Sequence, residues 1–343
     1  MKALVKKEAG YGHLEVMEVE EPHMGPDQVK IEVKYAGVCG TDLHTFEGRY
    51  KVKAPVTLGH EFSGEVVAVG DNVTHIQVGD RVTSETTFYI CGTCEYCKSG
   101  HYNLCGSRKG LGTQQNGGFA KYVVARKESV HQLPPNVDYL SAALTEPLAC
   151  AHHAVSKAAV KRGEVVVVLG PGPIGLLTAQ IAKSCGATVI ITGLDKDSIR
   201  LDKALELGID HVVNIQTENV KELVDSLTEG YGADVVLECT GAVPAVAMGL
   251  DLLTKKGRYV QVGIFGTPEI PVDFEKIIQK EIKVIGCRSQ NPFDWEPSLQ
   301  LMNDHRVNAE ALVTHRLGLS EWEQAFKLMK NGEAIKVVLT PLQ

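Results

Sequence analysis

Five consecutive aliphatic residues, 165–169, run directly into a glycine-rich turn, and this junction constrains the fold more than any other feature of the chain. Gly170, Gly172 and Gly175 have the spacing G-x-G-x-x-G, and a helical pattern begins at Ile174. In such turns the first glycine makes the bend, the second lets the backbone approach a pyrophosphate, and the third lets the helix pack on the strand. The junction predicts a dinucleotide-binding turn; a glycine-rich turn without a ligand is the alternative.

The second half of the chain continues to alternate apolar, strand-length segments with helix-length segments. Apolar segments begin at Thr188, His211, Asp234 and Arg258, and helix-length segments separate them. Continuous apolar strands that alternate with helices are typical of a parallel sheet covered on both faces. The pattern predicts a doubly wound, parallel-sheet α/β domain over residues 151–287.

The first half has a different texture. Short β-branched runs such as 29–35 and 63–69 are separated by glycine and proline. This pattern predicts an antiparallel, barrel-like β-domain over residues 1–150. The tail has a helical pattern at 321–330 and a strand pattern at 336–339, and the pattern alone leaves open which domain the tail joins.

Charge and hydropathy exclude two classes of partner. Lys and Arg number 35 against 42 Asp and Glu, and the net charge of −7 has the wrong sign for a surface that binds a phosphate backbone. The longest apolar run is far shorter than the roughly 20 residues that span a bilayer. The first residues show no secretory apolar region. We therefore expect a cytoplasmic protein of two domains, with no nucleic-acid or membrane partner.

The strand after the phosphate turn is expected to end near the adenosine ribose. An acidic residue there favours NAD, whereas a nearby arginine favours the 2′-phosphate of NADP. Asp195 follows that strand, but Gly193 is a second candidate for the strand-end position, and Arg200 is close in sequence. The sequence favours NAD and leaves use of NADP open.

Four of the nine cysteines lie close together, at positions 91, 94, 97 and 105. Four thiolates satisfy a tetrahedral zinc ion and staple a loop that has little core of its own. Cys91, Cys94, Cys97 and Cys105 are therefore predicted to hold a structural zinc. A disulfide or a redox-active pair is the alternative.

Further ligand chemistry is scattered along the first domain. Cys39 begins the segment Cys-Gly-Thr-Asp-Leu-His, His60 and Glu61 are adjacent, and Glu146 lies in Thr-Glu-Pro-Leu. Taken singly, such residues are more often buried or hydrogen-bonded side chains than ligands. Three scattered ligands suit a catalytic zinc, which keeps a fourth position open.

These motifs, in this order, resemble the zinc-dependent medium-chain dehydrogenases. The resemblance covers essentially the whole chain. It implies a GroES-like catalytic domain formed by 1–150 with 288–343, a Rossmann domain over 151–287, and a homodimer or homotetramer. Glu146 in Glu-Pro-Leu is similar to the sorbitol (L-iditol) dehydrogenase branch, and segments 81–88, 145–150 and 285–290 resemble arabitol-phosphate dehydrogenases.

The resemblance also implies roles for individual residues. Cys39, His60 and Glu146 would hold the catalytic zinc, with Glu61 as an additional or alternating ligand. The remaining implied residues are Thr41 and His44, for proton transfer, and Arg288, for the substrate hydroxyls.

The implied reaction transfers hydride from a secondary alcohol of a polyol or polyol phosphate to NAD(P), giving the ketose. Two alternatives stay open: an L-threonine 3-dehydrogenase, and a catalytically silent protein that binds zinc and a dinucleotide in a structural or sensory role.

Overall fold

A computed structural model describes residues 1–341, which form two compact units. One unit comprises residues 1–146, 290–304 and the chain from Ala309 onward. The other comprises 147–289 and 305–308. Each unit has its own apolar core, one around Phe62 and Leu339 and the other around Leu169 and Val236.

The described strands are short, as expected for segments bounded by glycine and proline. In chain order they are β1 Lys2–Lys6, β2 Leu14–Glu18, β3 Gln28–Gly37, β4 Val56–Thr57, β5 Glu61–Val69, β6 Arg81–Ser84, β7 Thr87–Tyr89, β8 Lys109–Gly110, β9 Tyr122–Arg126, β10 Val130–Gln132, β11 Val165–Leu169, β12 Thr188–Gly193, β13 His211–Asn214, β14 Ala233–Glu238, β15 Leu253–Gln261, β16 Lys283–Gly286, β17 Val313–Gly318 and β18 Lys336–Thr340.

The described helices connect these strands or cover the sheets. In chain order they are α1 Gly40–Phe46, α2 Glu95–Lys98, α3 Tyr139–Ala142, α4 Thr145–Ala158, α5 Pro173–Ser184, α6 Ser198–Glu206, α7 Val220–Leu227, α8 Val243–Leu252, α9 Phe274–Lys280, α10 Trp295–Asn303 and α11 Trp322–Lys330.

The second unit is built on a parallel six-stranded sheet in the order β13-β12-β11-β14-β15-β16. The central strand β11 is buried along its whole length, which explains its unbroken aliphatic sequence. The chain direction across the sheet reverses between β11 and β14, and doubly wound sheets bind their ligands at such a point. The predicted doubly wound α/β fold is confirmed.

The first unit is organised around β3 and β5, which pair antiparallel from Val29 to Gly37. They lie in a sheet of order β10-β6-β5-β3-β18-β17, and β9 also pairs with β3. Alternate residues of β3 are buried, as the period of two requires. The tail strand β18 pairs with β3, with Val338 opposite Gly37, so the tail belongs to this unit. Among residues 1–341, no helix combines the length and apolar character needed to cross a membrane.

Candidate metal centres and cofactor site

Four thiol groups converge in the segment from Cys91 to Cys105. The Sγ–Sγ distances are 3.8 Å for Cys91–Cys97, 3.5 Å for Cys94–Cys97 and 3.7 Å for Cys91–Cys105. Ligands about 2.3 Å from a tetrahedral zinc stand about 3.8 Å apart, whereas a disulfide requires about 2.05 Å. All the cysteines are free thiols. The four thiols therefore match the edges of a zinc tetrahedron and exclude the disulfide alternative.

Local backbone geometry favours the thiolate form of one of these cysteines. The backbone N–H of Cys94 lies 3.3 Å from Cys91 Sγ and, as the largest cause, lowers the pKa of that thiol to about 6. A thiolate is the form that binds metal. The backbone around Cys91 thus favours its metal-binding form.

The pairing of β3 with β5 assembles a second cluster. Gly37, at the end of β3, is opposite Glu61, at the start of β5. Cys39, two residues beyond Gly37, is thereby brought beside His60 and Glu61. The ligand atoms of Cys39, His60 and Glu61 all lie within 4.8 Å of one another. A thiol, an imidazole and a carboxylate at this spacing are ligands that zinc accepts.

Asp42, which has no role in the sequence-based prediction, holds this cluster in place. Its carboxylate accepts the N–H of Cys39 at 2.9 Å and lies 3.9 Å from His60 Nδ1. Burial raises the pKa of Asp42. Burial alone would lower the pKa of His60, but the charges of Cys39 and Asp42 raise it well above its usual value. Within the described chain, His60 Nδ1 is buried without a hydrogen bond, as expected at a site built for a cation.

Glu146 lies beside this cluster in the same unit. It lies in the first turn of α4 and is buried, and burial raises its pKa. The charge of His60 lowers that pKa and the charge of Glu61 raises it, so the three groups interact. Glu146 is outside the set whose ligand atoms are all within 4.8 Å, and Glu61 is inside it. Cys39, His60 and Glu61 thus form a compact set of ligand atoms, and Glu146 interacts electrostatically with His60 and Glu61.

Two cations also act on this cluster and are absent from the sequence-based site. The ammonium of Lys336, on β18, forms an ion pair with Glu61 and donates to the carbonyl of Val38 at 2.9 Å. Burial lowers the pKa of Lys336, but the charge of Glu61 raises it above its usual value. The charge of Arg108 acts on Glu146. A lysine in an otherwise apolar strand is the one sequence signal for Lys336, and no motif marks Arg108.

Thr41 and His44 lie on α1, next to the cluster. The thiol of Cys39 is 3.7 Å from Thr41 Oγ1. His44 is three residues further along the helix, on the same face, and its side chain is 51% exposed. The helix therefore leads from a thiol of the cluster to the solvent.

In the second unit, the glycine turn has the geometry expected of a phosphate site. Gly170 has a φ of 97°. A Cβ on Gly175 would lie 1.9 Å from the carbonyl oxygen of Gly170, so that position accepts glycine alone. Gly172 caps α5 and faces open space, with no atom within 4 Å of an added Cβ. This open N-terminus of a 12-residue helix, with Ile174 in its first turn, fits a pyrophosphate.

Gly193 and Asp195 were both candidates for the last position of the strand after the phosphate turn. Gly193 is the last residue of β12, and Asp195 lies exposed beyond it. Asn214 donates to Asp195 Oδ1 at 2.6 Å, and Arg200 pairs with Asp197 at 3.0 Å. Both groups are thus already held by neighbouring side chains. The predicted substrate residue Arg288 is exposed in the second unit, whereas the cluster of Cys39, His60 and Glu61 belongs to the first.

Comparisons with known proteins agree with these two units. Residues 25–135 match the model of the alcohol dehydrogenase GroES-like domain, and residues 173–304 match that of the zinc-binding dehydrogenases. The NADP-bound crystal structure of a zinc-binding dehydrogenase from Sinorhizobium meliloti 1021 superimposes with a TM-score of 0.92 at 32% identity, covering 99% of each chain.

Curated relatives match over essentially the full length. A sorbitol dehydrogenase from Halalkalibacterium halodurans is 64% identical and covers 100% of both chains. A D-arabitol-phosphate dehydrogenase from Enterococcus avium is 48% identical over 99% of this chain and 97% of its own. L-threonine 3-dehydrogenases are more distant, as the Bacillus subtilis enzyme at 35% identity illustrates. The chain belongs to the zinc-binding dehydrogenase family, with an alcohol dehydrogenase GroES-like domain.

Proposed function

We propose that this protein oxidises a secondary alcohol of a polyol or polyol phosphate to the ketose, with NAD(P) as hydride acceptor. The observation that carries the proposal is the convergence of Cys39, His60 and Glu61 in one unit, while the other unit holds a phosphate turn. The sorbitol and arabitol-phosphate dehydrogenases described above support a polyol substrate, and the lower identity of the threonine dehydrogenases disfavours threonine.

Cys39, His60 and Glu61 would hold the catalytic zinc, and Glu146 would act as the additional or alternating ligand. This reverses the roles that the family resemblance implies for the two glutamates, because Glu61 lies within the compact ligand set. When bound, the zinc lowers the pKa of a hydroxyl group at the open position and so favours its ionisation. The segment from Cys91 to Cys105, here called the cysteine lobe, would hold a second, structural zinc through its four thiols, with no open position.

The proton released from the alcohol needs a path to water. Thr41 provides a hydroxyl next to Cys39, and a hydroxyl can accept and donate a hydrogen bond at the same time. His44 provides an exposed imidazole, whose two ring nitrogens can donate and accept hydrogen bonds with water. We assign proton transfer to these two residues.

Positive charge near the metal cluster suits a phosphorylated substrate. Arg108 donates to the hydroxyls of Thr86 at 2.6 Å and Thr87 at 2.8 Å, which orient its guanidinium, and its charge reaches Glu146. Arg49, which follows helix α1, is instead ion-paired with Glu47. Arg108 is therefore our candidate for binding a substrate phosphate.

Comparison of sorbitol, xylitol, arabitol and arabitol phosphate as substrates tests the proposed reaction. Reduction of NAD or NADP should accompany oxidation of at least one of them and should stop when zinc is removed. Inactivity with all four, together with activity on threonine, would contradict the polyol assignment. Inactivity with every alcohol, although zinc and cofactor bind, would support the silent alternative.

Preference between the two cofactors can be tested at Asp195. The D195S variant removes the acidic group that would bind the ribose hydroxyls of NAD and repel the 2′-phosphate of NADP. We expect the ratio of kcat/KM for NAD to that for NADP to fall. Unchanged ratios would mean that Asp195 is a surface acid without a role in cofactor selection.

We also propose a cytoplasmic homo-oligomer. The free thiols favour a reducing compartment. β16 is the edge strand of its sheet, and Val284 on it is 53% exposed. Phe274 and Ile278 on α9 are also exposed, 68% and 67% respectively. Edge strands with apolar surroundings favour pairing with another chain. Light scattering coupled to size-exclusion chromatography should give at least twice the mass of the single chain.

A further inference from the structure

Glu238 is a completely buried carboxylate at the end of β14, and the proposed chemistry gives it no role. The sheet register places it between Leu169 of β11 and Gln261 of β15. It therefore lies at the carboxyl edge of the sheet, beside the reversal of chain direction between β11 and β14. Ligands of doubly wound sheets bind outside this edge.

The side chain of Glu238 joins two loops. One carboxylate oxygen, Oε1, accepts the N–H of Thr240 at 2.7 Å and also the hydroxyl of Thr240. The other, Oε2, accepts the N–H of Gly241 at 2.9 Å and the side-chain amide of Gln261 at 2.5 Å. The same amide donates to the carbonyl of Gly263 at 2.8 Å. These are charge-assisted hydrogen bonds of the strong kind.

The two loops, residues 239–242 and 262–264, are also packed backbone to backbone. A Cβ on Gly263 would lie 2.1 Å from the nitrogen of Gly241, and a Cβ on Gly241 would lie 2.3 Å from the carbonyl oxygen of Ile264. Gly241 has a φ of 65°. Since neither glycine leaves room for a side chain, a shift of one loop displaces the other.

The first of these loops touches the phosphate turn. The N–H of Cys239 donates to the carbonyl of Leu169 at 2.9 Å, and a Cβ on Gly170 would lie 2.4 Å from Thr240 Cγ2. A dinucleotide with its pyrophosphate at this turn and its adenosine over β12 extends its other nucleotide across the reversal, over β14 and β15. The two loops at the ends of those strands then lie where the nicotinamide half must go.

We propose that Glu238 is a positioning residue. Its hydrogen bonds fix loops 239–242 and 262–264, which form the binding site for the nicotinamide half of the cofactor. Ile264, which is 88% exposed at the end of the second loop, supplies an apolar surface for a flat ring. The inference rests on the cofactor named in the proposed function. Glu238 would help to place the nicotinamide, whereas the glycine turn would hold the pyrophosphate.

The test compares NADH with ADP-ribose, which has the adenosine and both phosphates but no nicotinamide. In E238Q an amide NH2 faces backbone donors, so one loop loses its anchor. We expect the dissociation constant for NADH to rise about tenfold, while that for ADP-ribose changes less than about twofold. D234N is the matched control, because Asp234 lies at the opposite end of β14 and accepts the N–H of Val165 at 2.9 Å.

Each outcome of this binding comparison either supports or contradicts the role proposed for Glu238. Weaker binding of NADH but not of ADP-ribose by E238Q, with D234N binding both ligands normally, supports the proposal. An equal loss of affinity for NADH and ADP-ribose, or no loss for either, overturns it. If E238Q does not fold, Q261M replaces it, since that variant frees the second loop while keeping the carboxylate and should show the same selectivity. If the unmodified protein binds neither ligand, the cofactor assignment of the proposed function fails, and this inference fails with it.

Discussion

Lys336 forms an ion pair with Glu61, and the two side chains are only 3% and 1% exposed. A buried charge pair is costly to break from one side, because the remaining ion stays in a medium of low dielectric constant. Glu61 is also a proposed zinc ligand, so two cations would share its negative charge. The pair therefore links the stability of the first unit to its metal content.

K336M should lower the free energy of unfolding by about 3–5 kcal/mol in the zinc-free protein, because Glu61 loses its partner. With zinc bound the loss should be smaller, since the metal compensates part of the charge. K6M is the matched control: Lys6 is equally buried but donates to the carbonyls of Gly10 and Gly12. Chemical denaturation of K336M and K6M, each with and without zinc, measures these changes in the free energy of unfolding. An equal loss in the two states of K336M would exclude Glu61 as a ligand.

The cysteine lobe should lose its metal when one thiol is removed. We expect C94S to release one zinc per chain and to lower the free energy of unfolding by about 2 kcal/mol or more, because the metal replaces a local core. Mass spectrometry of metal content and thermal unfolding check this. C185S, at a free cysteine outside the lobe, should keep its zinc. Unchanged metal content in C94S would disprove the structural site.

Stability should depend on pH through His131. Burial alone would lower the pKa of His131, but hydrogen bonds with Glu296 and Glu85 raise it to about 9. The folded state therefore binds the proton more tightly than the unfolded state, whose histidine has a pKa near 6.5. The resulting stabilisation is complete below pH about 6.5 and is lost as the pH rises through about 9, up to about 3 kcal/mol in total.

The measurement is the difference in unfolding free energy between the unmodified protein and H131F at several pH values. This difference should shrink steadily from pH 6.5 to 9.5. H75F, at an exposed histidine, controls for the replacement of a histidine by phenylalanine. A difference for H131F that does not change with pH would contradict the raised pKa.

Arg108 should decide between phosphorylated and free polyols. R108Q is expected to lower kcat/KM for arabitol phosphate about tenfold, because a charge-assisted contact with phosphate is lost. The value for arabitol should change much less. R49Q is the control, as Arg49 is exposed and paired with Glu47. Equal losses on both substrates would leave Arg108 with a structural role alone.

Local pattern was sufficient for the elements of the second unit. The run from Val165 to Leu169 is strand β11 residue for residue, and the helix expected from Ile174 begins at Pro173. Both predictions depend on near neighbours in sequence, where periodicity and glycine spacing carry the information. The tail is different: β18 joins β3 through a pairing of residues about 300 positions apart, which no local pattern encodes.

In the candidate site, too, local motifs could be predicted from the sequence and long-range contacts could not. Residue type and spacing predicted the four cysteines at 91, 94, 97 and 105 as ligands, whereas Cys39 and His60 were assigned through the family resemblance. The structure brings the side chains of each set together. Asp42 lies inside a motif that the sequence analysis used, yet its contact with His60 depends on the fold. Lys336 reaches Glu61 only through the return of the tail. The pairing of β3 with β5 brings Glu61 beside Cys39, and this contact also depends on residues distant in sequence.

The central claim is that Cys39, His60 and Glu61 hold a catalytic zinc separate from the zinc of the cysteine lobe. The most direct test is zinc content together with NADH binding and polyol oxidation in C39A. We expect two zinc ions per chain in the unmodified protein and one in C39A, with NADH affinity retained and oxidation lost. Two zinc ions in C39A, or polyol-dependent NADH production by a variant holding one, would contradict it.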